Sequence, residues 1–232
     1  MPRPTQNEPP QGRVDVSESY DGPPPPKAWL PILTQPSSQA AASFRLLQYR
    51  VRHDCQARIV AVTSPEEGEG KTTCAINLAM ALAEQSEGDV LLLEANLQKP
   101  AVSQRMGFVP PRCFGEQMHA GEDRALDGWQ AVSAYFPNLH VLAVDPAVTK
   151  PRLLNRAALG AVMALLRPSH YESIVLDCPS ALGSADMTIV ADYVDGILLT
   201  SLVKHTRRSK LTRSAEVLAP ATILGTVAMG ER

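Results

Sequence analysis

The feature that most constrains this chain is a glycine-containing loop between an apolar stretch and a helix-like run. The apolar stretch covers residues 58–63, the loop covers residues 64–70, and Lys71, Thr72 and Thr73 begin the helical pattern. Strand, loop, Lys-Thr and helix in this order predict a phosphate-binding loop. Backbone N–H groups of such a loop point inward, and the helix N-terminus adds a positive potential.

The loop residues have expected roles in binding ATP and Mg²⁺. We expect Lys71 to reach the β- and γ-phosphates and the Thr72 hydroxyl to ligate Mg²⁺. The strict pattern has a glycine five residues before Gly70, where this chain has Pro65, but Gly68 and Gly70 still let the backbone approach phosphate. The residues predicted to bind the nucleotide are Glu67, Gly68, Glu69, Gly70, Lys71, Thr72 and Thr73.

Apolar runs alternate with helical patterns from residue 41 onwards. Nearly continuous apolar runs, such as residues 90–93, are typical of parallel strands buried on both faces. The alternation predicts an α/β P-loop NTPase fold, a doubly wound and mostly parallel sheet with helices on both faces. Strands are predicted at residues 59–63, 90–94, 140–144, 173–177, 196–201 and 223–228, and helices at 43–52, 72–84, 153–166, 184–190 and 207–218.

Two segments do not share this pattern. Residues 1–40 contain ten of the 20 prolines and no apolar periodicity, so they are predicted to form a disordered, proline-rich N-terminal arm. Residues 107–138 have a mixed composition and are predicted to form a long loop with a short helix. The folded domain, expected to bind ATP, is then residues 41–232.

Polar side chains end two of the predicted strands, where ligands of a doubly wound sheet bind. Asp177 follows the apolar run at residues 174–176, and Glu94 follows the run at 90–93, with Asn96 two residues later. An acidic residue that ends a strand near a phosphate-binding loop can hold Mg²⁺ or its water ligands, so Asp177 is the first candidate. Glu94 is a candidate for orienting a metal-bound water or for acting as base, and Asn96 for coordinating the metal.

Composition argues against several other classes of protein. The net charge of −2 argues against a nucleic-acid partner. The four scattered cysteines support neither a zinc site nor a disulfide framework. No run of about 18 apolar residues is present, so no membrane span is expected. These features predict a cytoplasmic protein that reaches a membrane only through a partner.

Three segments together resemble the bacterial tyrosine kinases of capsule and exopolysaccharide synthesis, which adapt the fold of the MinD and ParA ATPases. They are residues 62–79 with the loop, residues 90–100, and residues 171–180. The resemblance covers about residues 41–230. It implies tyrosine phosphorylation with ATP and Mg²⁺, regulation of polysaccharide synthesis and export, and a membrane-embedded copolymerase or chain-length regulator as partner. A segment at residues 44–47 is similar to the family's ring-contact helix, so the resemblance also implies a homo-oligomer.

The chain departs from this family at several positions. The family motif at this place is Asp-Ala-Asp-Leu-Arg-Lys-Pro. In this chain Glu94 and Asn96 replace the two aspartates, and Gln98 replaces the arginine. Replacing a carboxylate by an amide beside Mg²⁺ removes an interaction of roughly 4 kcal/mol at about 4 Å and an effective dielectric constant near 20. No tyrosine follows Tyr193, so we expect no autophosphorylation on a C-terminal tyrosine cluster. Tyr20 or a partner protein is then the candidate acceptor.

Two alternatives to an active kinase stay open. One is a catalytically weak, nucleotide-binding adaptor of the polysaccharide export machinery, which the replacements at positions 96 and 98 favour. The other is a positioning ATPase of the ParA, MinD and Mrp type. Those ATPases carry a signature lysine five residues before the main lysine, and this chain has Glu66 there.

Overall fold

The computed structural model describes residues 14–25, 29–120, 129–147 and 154–230. They form one eight-stranded sheet in the order β1-β4-β5-β3-β6-β2-β7-β8, in which only the β4–β5 pair is antiparallel. The strands are β1 Val14–Tyr20, β2 Ile59–Thr63, β3 Val90–Glu94, β4 Trp129–Ala134, β5 Leu139–Leu142, β6 Ser173–Asp177, β7 Gly196–Leu202 and β8 Ile223–Met229.

Helices cover both faces of the sheet, as predicted. They are α1 Pro31–Thr34, α2 Gln39–Tyr49, α3 Lys71–Gln85, α4 Val102–Met106, α5 Phe114–Ala120, α6 Arg156–Leu166, α7 Asp186–Ala191 and α8 Arg208–Leu218. A π-helical turn, Arg50–Asp54, continues α2.

The central strands separate two hydrophobic cores. Leu91 and Leu93 pack into the core beneath α5 to α8, whereas Val90 and Leu92 pack into the core beneath α1 to α4. Because successive side chains of a strand point to opposite faces, a continuous apolar run fills both cores at once. Every residue of β2, β3 and β6 is buried. The predicted doubly wound α/β fold is confirmed.

The predicted disordered arm is wrong for the part of residues 1–40 that the structure describes. Val14–Tyr20 forms an edge strand that pairs in parallel with β4. Pro31–Thr34 is a helical turn in which Ile32 is buried, and Leu30 just before it is 1% exposed. Most of β1 is polar and exposed, so it gives no periodic apolar signal. Residues 1–13 and 26–28 lie outside the described residues.

The long loop predicted at residues 107–138 is also incorrect in part. It contains α5 and the strand β4, which is the partner of both β1 and β5. Tyr20 ends β1 beside this region, with its ring 5.9 Å from that of Phe108 and 5.7 Å from that of Tyr135. The proposed acceptor tyrosine therefore stands in an aromatic cluster and not in an open tail.

Removing the Leu30 side chain tests whether the N-terminal region belongs to the core. Because Leu30 is buried between helices, Leu30→Ala should lower the free energy of unfolding by about 3 kcal/mol, measured by urea denaturation. Ser37→Ala, at an exposed position of the same region, is the control and should change stability little. Equal stability of the two variants would mean that the region does not pack as described.

Candidate nucleotide-binding site

The predicted phosphate-binding loop joins β2 to α3 through two glycines in the left-handed conformation. Gly68 has φ 80° and Gly70 has φ 85°, a region that residues with a Cβ rarely adopt. At Gly70 the space is also limited, since an added Cβ would lie 2.9 Å from Cγ of Met229. The chain turns here so that Lys71 is the first residue of the 15-residue helix α3.

Lys71, Thr72 and Thr73 are buried at the N-terminus of α3, as a phosphate-binding loop requires. The unpaired N–H groups of the first helical turn and the helix dipole both favour an anion at this position. The loop and the helix start therefore confirm the predicted arrangement of strand, turn, Lys-Thr and helix.

Three carboxylates of the loop are all engaged by other groups. Glu67 forms a salt bridge with Lys99 at 2.6 Å, and Glu66 forms one with Lys210 of α8. The Glu69 carboxylate accepts from the backbone N–H of Glu66 at 2.7 Å and from the Thr206 hydroxyl at 2.5 Å. These contacts offset acidic charge close to the expected phosphates and tie the loop to two neighbouring segments.

Asp177 ends β6, directly beside the loop. It pairs with Val62 of β2 on one side and with Glu94 of β3 on the other. The side chain is fully buried, and within the described part of the chain neither carboxylate oxygen has a hydrogen-bond partner. Burial raises the pKa of Asp177 to about 7, while the nearby Thr72 hydroxyl and the charges of Lys71 and Arg105 act in the opposite direction.

An unpartnered buried carboxylate is costly, and a cation or its bound water is the usual partner. Asp177 and Thr72 therefore fit an Mg²⁺ ion, which prefers oxygen ligands and keeps several waters. No cluster of three or more His, Cys, Asp or Glu side chains suited to a metal occurs among the described residues. Mg²⁺ in phosphoryl-transfer sites needs only one or two protein carboxylates, because phosphates and water supply the rest.

Glu94 lies in a different setting from the one predicted. One carboxylate oxygen accepts from the backbone N–H groups of Ala101 at 2.5 Å and Val102 at 2.9 Å, and the other accepts from Val144 at 2.8 Å. Burial and the neighbouring charge of Asp177 raise its pKa to about 8. These contacts hold the segment after β3 in place. The role of Glu94 as a base or as a group that orients water stays a prediction, because its oxygens are occupied by backbone N–H groups.

A cavity of about 210 Å³ opens between the loop and the segment after β3. Asn96 lines it and donates to the Lys99 carbonyl at 3.0 Å, so the predicted metal ligand is present at the site. The sequence did not predict Arg105, which also lines this cavity. The other residues at its wall are Glu67, Gly68, Lys71, Thr72, Gln98, Lys99, Ala101, Pro179, Ser180, Gly183 and Ser184.

The comparisons with known proteins agree with this geometry, although no protein-family model matches the chain. Tyrosine-protein kinase YwqD of Bacillus subtilis (strain 168) is 28% identical over 206 residues, which are 86% of this chain and 85% of YwqD. The VpsO kinase domain superposes with a TM-score of 0.70 at 26% identity, covering 83% of this chain and 95% of that domain. The chain is similar to the bacterial tyrosine kinases.

Bacterial tyrosine kinases are not the sole neighbours of this fold. The septum site-determining protein MinD of Pyrococcus horikoshii OT3, solved with Mg-ADP, has a TM-score of 0.60 at 26% identity over 74% of this chain and 69% of MinD. This chain thus shares its fold with both groups. The predicted resemblance to bacterial tyrosine kinases with a ParA- and MinD-like fold is confirmed.

The buried charge of Asp177 should show in the pH dependence of stability without nucleotide. Because the pKa of Asp177 is raised in the folded state, the folded protein holds a proton that the unfolded chain loses, and stability falls between about pH 4 and pH 7. Asp177→Asn should therefore be more stable than wild type by roughly 2 to 4 kcal/mol at pH 8. The advantage should shrink towards pH 5, as measured by urea denaturation without metal. A pH-independent difference would show that Asp177 does not carry this charge cost.

Proposed function

We propose that this chain is an ATP- and Mg²⁺-dependent kinase of the bacterial tyrosine-kinase type that regulates capsular or exopolysaccharide synthesis and export. The main support is the buried, unpartnered carboxylate of Asp177 beside Lys71 and Thr72 at the start of α3. The named tyrosine-kinase relatives and the kinase-domain neighbours support the same activity.

The residues of the candidate site have different roles in binding a triphosphate for phosphate transfer. Backbone N–H groups of residues 67–72 bind the phosphates, and Lys71 neutralises charge that develops on the transferred group. Thr72 and Asp177 hold Mg²⁺, with Asn96 as a neutral ligand at the cavity wall. Bound Mg²⁺ supplies further neutralisation of the phosphate oxygens. Glu94 acts as a positioning residue, because its oxygens are taken by backbone N–H groups.

The partner that we propose is a membrane-embedded copolymerase or chain-length regulator, which would recruit the protein to the inner face of the membrane. Its support is the resemblance to the tyrosine kinases of polysaccharide synthesis. Within the described residues, no helix has the length and apolar character needed to cross a bilayer. Leu46 and Tyr49 of α2 are about half exposed, 51% and 53%, which offers an apolar surface to a homo-oligomer.

A second candidate is the nucleotide-binding adaptor with little catalysis. It is favoured by Asn96 and Gln98, which put two neutral amides at the cavity where the family pattern has a carboxylate and an arginine. The positioning-ATPase alternative is disfavoured, because Glu66 occupies the place of the signature lysine and is paired with Lys210 of its own chain.

Transfer of labelled phosphate tests the proposal. Purified protein with γ-labelled ATP, Mg²⁺ and a candidate membrane partner should yield label on tyrosine, and Lys71→Met should abolish both the label and ATP binding. Lys204→Met, at an exposed position on the β7–α8 connection, is the matched control. Binding of ATP without labelled tyrosine would establish the adaptor, and absence of ATP binding by folded protein would refute both functions.

A carboxylate at position 96 should strengthen the metal site. Asn96→Asp adds a charge near the predicted Mg²⁺ and should raise turnover about tenfold at limiting Mg²⁺. It also removes the donor to the Lys99 carbonyl and should reduce stability by about 1 kcal/mol. The readouts are phosphate transfer across an Mg²⁺ titration and urea denaturation. Unchanged turnover and Mg²⁺ requirement would show that the amide does not limit metal binding.

A further inference from the structure

Arg105 is a further cationic side chain at the wall of the cavity, besides Lys71 and Lys99. It lies on α4, and its Nη1 donates to the hydroxyl of Thr73 in the first turn of α3 at 3.3 Å. The side chain is partly buried and lines the same cavity as Lys71 and Thr72. A guanidinium at this position therefore borders the place where the loop and the helix start present their N–H groups.

The guanidinium of Arg105 stands at the same cavity wall as Lys71 and Thr72, the first two residues of α3. A cation at this wall is placed to attract an anion bound beside the helix start. Guanidinium is suited to such a task because it stays charged and offers planar, paired donors that match phosphate oxygens.

Gln98 is at the wall of the same cavity but carries no charge. Its amide nitrogen donates to a carboxylate oxygen of Asp186 at 3.3 Å, which directs that donor towards α7. The family pattern has arginine at this position. The cavity wall thus has a neutral amide where the family pattern has a cation, and it includes a guanidinium, Arg105, that the family pattern did not predict.

We propose that Arg105 is a phosphate-binding residue of the nucleotide site and supplies the positive charge that is missing at Gln98. This inference rests on the proposed function, since it assumes that a nucleoside triphosphate occupies the cavity. The alternative is that Arg105 only fastens α4 to α3 through Thr73. The two differ in a measurable way, because a phosphate contact depends on how many phosphates the ligand carries and a fastening contact does not.

The experiment measures equilibrium binding of ATP, ADP and AMP to the full chain, with fluorescent analogues and magnesium present. Loss of a charge-assisted contact should weaken ATP binding about tenfold to hundredfold in Arg105→Gln, with a much smaller effect on AMP. Arg112→Gln, at an exposed position in the next loop, is the matched control and should bind all three nucleotides as wild type does.

A variant in which the positive charge is moved to another position distinguishes an effect on binding from an effect on folding. The double variant Gln98→Arg with Arg105→Gln returns a cation to position 98 of the cavity wall and should recover most of the lost ATP affinity. Equal ATP affinity of Arg105→Gln and wild type would overturn this inference and leave the proposed function intact. Equal weakening for all three nucleotides, with a lower melting temperature of the free protein, would assign Arg105 the fastening role and also overturn it. Failure of wild type to bind ATP would overturn both.

Discussion

The arrangement of the whole site depends on one buried charge, the carboxylate of Asp177. It lies at the end of a central strand, has no hydrogen-bond partner among the described residues, and is surrounded by the first turn of α3 and the strand β3. A folded protein retains such a group only where something else offsets its cost, and sites for ligands are where this occurs. At this edge of the sheet, a helix start that favours an anion lies beside a carboxylate that favours a cation. A triphosphate with Mg²⁺ requires this combination.

The two neighbouring carboxylates, Glu94 and Asp177, face different environments although they are paired across adjacent strands. Like charges at this spacing cannot both be stable without compensation. The backbone N–H groups of Ala101, Val102 and Val144 occupy both oxygens of Glu94, so that this carboxyl group holds the fold together. Asp177 receives no backbone donors within the described residues and is the carboxyl group that we propose for a ligand. The same carboxyl chemistry at two strand ends thus has two different surroundings.

Sequence patterns predicted the central strands, which are buried on both faces. The strands β2, β3 and β6 have the predicted bounds because continuous apolar runs leave few alternatives. The edge strand β1 was missed, since a mostly exposed strand needs little apolar sequence and depends on its partner β4. At the site, the loop and Asp177 could be predicted from local order along the chain. Arg105 could not, because its position depends on how α4 packs against α3.

The replacement of a carboxylate by Asn96 also has a physical reason in this setting. Glu67, Glu94 and Asp177 already lie at or near the cavity, and only Glu67 has a lysine partner, Lys99, in a salt bridge. A further carboxylate would add repulsion among these groups and against the phosphates, whereas the amide donates to the Lys99 carbonyl and adds no charge. Under the function that we propose, such a site would still bind a triphosphate but would give the metal fewer charged ligands. The balance between binding and transfer would then depend on the segment after β3, where Asn96 is neutral.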